Sequence, residues 1–197
     1  MSEFEQDLCN SNNVIEKIKP IICKLLMCDN IVTVEGVNND VCKLLDLTCG
    51  IDYLKVTDKA GNVSGIANRI QWIDPPWPPF NTFTIRKGRE SGAETEFTKR
   101  KKAIDNGGLY PYLTMHTYIE TETERLLSLA VVKTTDIIDY IIKYKPKERY
   151  SVDSKGKAWF YFCPWTDMID KGYRVLTCEN IGKNMDILFT QYPAKGA

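Results

Sequence analysis

Two strand-like segments carry charge inside otherwise apolar runs. In GIDYLKVTDKAGNVSGIANRIQW, residues 50–72, Asp52 and Arg69 lie on either side of Asp58-Lys59-Ala60-Gly61-Asn62, a run with strong turn chemistry. The return segment alternates Ile66, Asn68, Ile70 and Trp72 against Ala67, Arg69, Gln71 and Ile73, so Arg69 and Gln71 share one face of a strand. Two readings follow. Asp52 and Arg69 form an ordinary cross-strand ion pair on the solvent face, or they converge on something charged.

A second constellation joins Arg86, Lys87 and Arg89 to Lys99, Arg100, Lys101 and Lys102, with Phe83 and Trp77 close in sequence. Clustered cations beside aromatics suit phosphate contacts and stacking on single-stranded bases. Glu96 stands at i,i+3 and i,i+4 spacings from Lys99 and Arg100, with Glu94 nearby, and a solvated helix face accounts for half of the cluster without a ligand. His116 is the only histidine, and YLTMHTYI around it holds no nucleophile motif, so it reads as a strand histidine packed among aromatics. Neither a G-x-x-x-x-G-K-[ST] loop nor a G-x-G-x-x-G fingerprint is present to seat a nucleotide cofactor. AWFYFCPW, residues 158–165, holds five aromatics that either offer a partner surface or close a small core.

These side chains need elements to hold them. Val14, Ile18, Ile21, Ile22, Leu25 and Leu26 recur at spacings of three and four and predict a helix over 13–27, with Pro20 kinking it or marking a start near Lys19. NIVTVEG at 30–36 predicts an edge strand, and 38–46 a short helix capped by Asn39 or Asp40. The hairpin follows, then the proline-rich loop DPPWPPFN at 74–81 and the strand TFTIRK at 82–87. SGAETEFTKRKKAID, 91–105, reads as a helix capped by Ser91 and stopped by Gly107-Gly108. A strand is expected over 109–120, with a helix as the alternative, and a strand buried on both faces over 125–134. A helix over 135–144, strands at 157–163 and 173–178, and a short helix at 165–170 complete the chain. The order predicts an α/β domain with a single central mixed sheet flanked by helices, an α+β arrangement being the nearest rival.

At 197 residues the chain is expected to form a single domain, 1–197, with a self-sufficient core. Lys+Arg and Asp+Glu are both 26, which argues against gripping nucleic acid by bulk charge and leaves a local basic patch open. Seven cysteines without a C-x-x-C pair indicate neither a disulfide framework nor a zinc ribbon, and a reducing cytoplasm fits best. The polar, acidic start MSEFEQDLCN is unlike a secretory signal, and no apolar run approaches the ~20 residues of a membrane span.

Taken together, LLDLTCGIDYLKV, VSGIANRIQW, TFTIRK, ETEFTKRKKAI and LLSLAVVKTTDIIDYI resemble the core of a PD-(D/E)XK nuclease-like domain over roughly 13–144, with 145–197 as a strand-rich extension. The resemblance implies a restriction-endonuclease-like core of helix, three-stranded antiparallel meander, second helix and further strand. It also implies a metal-binding aspartate on the second strand, matched by Asp52, and an acid-x-lysine pair on the third. There this chain carries Arg69 and Gln71, with Ile73 where the lysine would follow a glutamine in the acid position. The implied activity is metal-dependent hydrolysis of phosphodiester bonds in nucleic acid, DNA ahead of RNA, with Mg²⁺ or Mn²⁺ as cofactor. Asp52, Gln71 and Asp46 would be metal ligands, with Glu16 and Glu35 as further carboxylates. Arg69 would clamp the phosphate, and Arg86, Arg89, Lys99 and Arg100 would position the backbone. The alternative is a non-catalytic protein that keeps the fold and holds a nucleic-acid or protein partner through the basic helix and aromatic tail.

Overall fold

The computed structural model describes residues 3–34, 37–57, 61–153, 156–179 and 189–191. Helix α1 (Glu3–Leu26) passes through the exposed Pro20 and begins ten residues before the expected start. Its apolar stripe, which includes the fully buried Val14, Ile15 and Ile22, lies against one face of a large sheet. Each such side chain contributes about 1.5–3 kcal/mol of burial.

The sheet runs β1 (Asn30–Thr33), β2 (Tyr53–Thr57), β3 (Asn62–Ile73), β5 (Leu113–Glu120), β6 (Leu126–Lys133), β9 (Val175–Glu179), and is extended at its far edge by β10 (Phe189–Gln191). Only β3 and β5 pair in parallel; every other neighbour in this sheet is antiparallel. Thus β6, buried on both faces as expected, is antiparallel to both of its neighbours. A parallel pair needs a crossover. Here the crossover holds the proline-rich loop, β4 (Thr82–Arg89) and α3 (Glu96–Asp105).

The expectation of a single central sheet requires correction. β4 leaves the meander and forms a second, three-stranded antiparallel sheet with β8 (Gly156–Pro164) and β7 (Glu148–Asp153). The meander of the large sheet is instead β1-β2-β3. Within 145–197, β8 is the centre of the second sheet and β9 pairs with β6. Phe83 and Ile85 of β4, Cys163 of β8, and Ile137 and Ile141 of α4 (Thr134–Tyr144) form a second core with Trp165 and Met168 of α5 (Trp165–Asp170). It covers the face of the large sheet opposite α1, through Ile73, Tyr118, Ala130 and Val132.

Two local departures shape the site. α2 (Asp40–Lys43), capped by the Asn39 side chain as expected, runs on as a π-helical turn over Leu44–Cys49. Gly50 then closes it at φ +67°, a left-handed conformation that glycine adopts without strain. α3 begins at Glu96, with Thr95 in the cap position and not Ser91. The Thr95 hydroxyl donates to the Lys87 carbonyl at 2.9 Å and ties the helix start to β4. No disulfide joins any of the cysteines among the described residues. No helix among the described residues is long and apolar enough to cross a membrane.

Candidate anion-binding cleft

Along β3, alternation separates two environments. Ile66, Ile70 and Trp72 belong to the α1 core, whereas Arg69 faces the second sheet. On β5 the same parity sends Met115 and Ile119 towards α1 and places His116 beside Arg69, its register partner. Between β3, β5, β4 and α3 this second face opens into a cleft of about 380 Å³.

Four arginines from three elements line it: Arg69 of β3, Arg86 and Arg89 of β4, and Arg100 of α3. In a regular strand, residues three apart point to opposite faces. A bulge between Arg86 and Gly88 changes this, so that Arg86 sits opposite Phe160 and Arg89 opposite Ala158, two positions on one face of β8. The guanidiniums of Arg69 and Arg86 both lie over the Phe160 ring, 5.3 and 5.4 Å from its centroid. Glu96 and Arg100, one helical turn apart, are both brought to the cleft by α3.

Glu96 is the electrostatic centre. It is ion-paired with Arg69 and accepts the Arg86 backbone N–H at 3.3 Å. Burial would raise its pKa, yet Arg69, Arg100 and Arg86 together outweigh burial and hold it at about 2. Asp52 stands just ahead of β2, not within it, and its carboxylate accepts the Asn68 backbone N–H at 2.6 Å. Ile51, beside it, is pressed against Gly65, where an added Cβ would meet the Ile51 side chain at 2.8 Å. Burial lowers the pKa of Arg100; Glu96 and Asp52 oppose that shift, and Arg69 adds to it. Asp46 reaches the cleft from the π-helical turn, with its pKa raised by burial. His116 is 1% exposed. Burial, then the nearby Arg69, lower its pKa to about 3 against weaker opposition from Glu96 and the Thr82 backbone, so the imidazole is neutral at pH 7.

The fold therefore assembles Asp46, Asp52, Arg69, Arg86, Arg89 and Arg100 at one cleft. Arg69 pairs with Glu96, not with Asp52 as a hairpin ion pair would have it. Gln71 lies on the Arg69 side of β3 but does not line the cleft. Lys99 donates to the Leu47 carbonyl at 3.2 Å and lines a smaller neighbouring pocket that shares Asp46, Arg86, Arg89, Glu96 and Arg100 with the cleft. Glu16 is exposed and paired with Lys19; Glu35 falls outside the described residues, as do Asp58, Lys59 and Ala60 of the turn. Trp77 is exposed on the proline-rich loop, away from the cleft. Sequence reasoning missed Glu96 and His116 as cleft residues. The i,i+4 spacing of Glu96 and Arg100 was a signal for the first, but one equally suited to a solvated helix face.

A divalent cation does not suit this donor set. Mg²⁺ seeks octahedral oxygen coordination and is commonly held by one or two carboxylates with water and substrate phosphates. Among the described residues no group of three or more His, Cys, Asp or Glu side chains could hold a metal. Asp52 is engaged by a backbone N–H, Glu96 is engaged by arginine, burial disfavours the charged form of Asp46, Gln71 does not line the cleft, and four guanidiniums outnumber these three carboxylates. The same guanidiniums suit an anion, since each presents planar N–H donors that match phosphate or carboxylate oxygens. No protein-family model, curated protein or solved structure matches the chain.

Proposed function

We propose that this chain is a nucleic-acid-binding protein that seats a phosphate group in the arginine-lined cleft and needs no divalent cation to do so. The observation that carries the reading is the convergence of Arg69, Arg86, Arg89 and Arg100 from β3, β4 and α3 on one cleft. The chain has no net charge, so such a concentration of guanidinium groups is local and directional. Its affinity for nucleic acid resides in a few charge-assisted hydrogen bonds.

The nuclease-like resemblance bears on ancestry. What supports it is the order of a helix, an antiparallel meander and a crossover containing a second helix that leads to a parallel strand, with Asp52 at the head of the second strand. The acid-x-lysine position is occupied by Arg69 and Gln71, and Arg69 is committed to Glu96. A guanidinium that stays protonated clamps phosphate and does not act as a base.

The test is a binding titration with short labelled DNA and RNA in EDTA, beside Arg86→Ala and Arg89→Ala. Retained binding in EDTA, weakened about tenfold or more by either change, is the expected result. Cleavage of any substrate in Mg²⁺ or Mn²⁺ that disappears in Asp52→Ala would overturn the metal-free reading and reinstate hydrolysis.

A further inference from the structure

The cleft contains buried polar atoms that the protein leaves unsatisfied. Arg100, 8% exposed, has an Nη1 without a hydrogen-bond partner, and His116, 1% exposed, has none at either ring nitrogen. The two side chains come from different elements, α3 and β5, and line the same cavity. Leaving a buried polar group without a partner is costly, and native proteins keep few of them. Two such groups at one cavity are accounted for together if a ligand completes them.

Their demands differ. Arginine offers only N–H donors, whereas a neutral imidazole offers one N–H and one lone pair. The two ring nitrogens point in divergent directions and the Thr82 backbone favours a proton on one of them, so a ligand that meets Arg100 and the remaining lone pair must bring acceptor oxygens together with one protonated oxygen. An internal phosphodiester carries acceptors and no proton. A phosphomonoester has a second pKa near 6, and its singly protonated form presents P–OH beside P–O⁻. The volume, about 380 Å³, lies near the lower end of the ~300–1,000 Å³ typical of small-ligand clefts, which suits one terminal group better than a strand passing through.

Resting on the nucleic-acid reading above, we infer that the cleft is an end-recognition site that takes the terminal phosphomonoester of a nucleic-acid strand. Arg100 donates to its oxygens, and the His116 ring nitrogen that carries the lone pair accepts from its P–OH. Arg69 and Arg86, stacked over Phe160, supply the surrounding positive potential.

The experiment compares four forms of one internally labelled oligonucleotide, as DNA and as RNA, by fluorescence anisotropy in EDTA: 5′-phosphorylated, 3′-phosphorylated, hydroxyl at both ends, and circularised. Inorganic phosphate and a nucleoside monophosphate serve as competitors and, by calorimetry, as direct ligands. One phosphorylated end is expected to bind at least about tenfold more tightly than the hydroxyl-ended and circular forms. His116→Phe, which keeps a ring and removes both nitrogens, and Arg100→Lys should each erase most of that preference while the melting temperature shows the variant folded. Equal binding of all four forms would overturn end recognition and leave the nucleic-acid reading standing. Failure of every oligonucleotide to bind would remove that reading as well. Binding of the small phosphates alone would transfer the site to free phosphate esters and also overturn the proposal.

Discussion

The two faces of the β3–β5 pair share strands and hydrogen bonds yet have opposite chemistry. Towards α1, Ile66, Met115 and Ile119 are closed into a dry layer, each at most 1% exposed. On the other side, alternate positions along the same strands present Arg69 and His116 to a cavity. One face contributes stability by burying apolar area, and the other holds charge and unsatisfied donors that a maximally stable fold would not keep. The contrast teaches that a substitution's sign here is set by which way its Cβ points, more than by depth of burial.

The largest effect tests the dry face. Ile22→Ala, at a fully buried position of α1, is expected to cost about 2–5 kcal/mol, seen as a lower denaturant midpoint with little change in slope. A loss under about 1 kcal/mol would mean that α1 is not an integral layer. Glu96→Gln comes next. It leaves Arg69, Arg86 and Arg100 without their shared counter-charge, and with Glu96 about a quarter exposed the expected loss is about 1–3 kcal/mol. The same change should tighten anion binding, so stability and affinity move in opposite directions. If both fall together, the cleft is not selecting anions.

Acid sharpens the comparison further. His116 has a pKa of about 3 in the folded protein against 6.5 unfolded, so below about pH 6.5 the unfolded chain takes up a proton that the folded chain refuses. Stability should fall as the pH drops from 6.5 towards 3, at a slope of up to about 1.4 kcal/mol per pH unit from this group. Glu96, depressed from 4.5 to about 2, adds a second loss between those values, because its stabilisation is present above the unfolded pKa and disappears as pH falls through the folded one. His116→Phe should abolish the upper part of the slope. At pH 7 it should be neutral or stabilising by about 1 kcal/mol, since it removes unsatisfied polar atoms. A destabilisation of several kcal/mol would show instead that the imidazole is structurally satisfied. The smallest effect belongs to the surface: Lys17→Ala, which breaks an exposed pair with Glu124, should change stability by less than about 0.5 kcal/mol in the same unfolding assay.

Much of this architecture was legible residue by residue. The α1 stripe, the two faces of β3, the buried β6 and the short α5 follow from periods of 3.6 and 2. Strands β7 and β10 went unanticipated, although β7 alternates Tyr150 and Val152 with Arg149, Ser151 and Asp153 over a short stretch; β10, at three residues, is too short to show a period. The departure of β4 was equally hidden. TFTIRK is as good a strand for one sheet as for another, and its partner β8 lies some seventy residues further along the chain. The cleft was half legible: Asp52, Arg69, Arg86 and Arg100 stood out by charge, but nothing in their spacing showed that Arg69 would be claimed by Glu96.

The amino-acid order alone determined which side chains share a face, because that depends on local periodicity, and it determined that the chain's positive charge is locally concentrated. What only the tertiary structure decided was the meeting of those faces. The crossover carried β4 and α3 over β3 and β5, the bulge turned Arg86 and Arg89 to one side, and the second core sealed His116 from water. Contacts of that kind depend on loop closure and on the burial of distant apolar surface, energies that no short window of sequence contains.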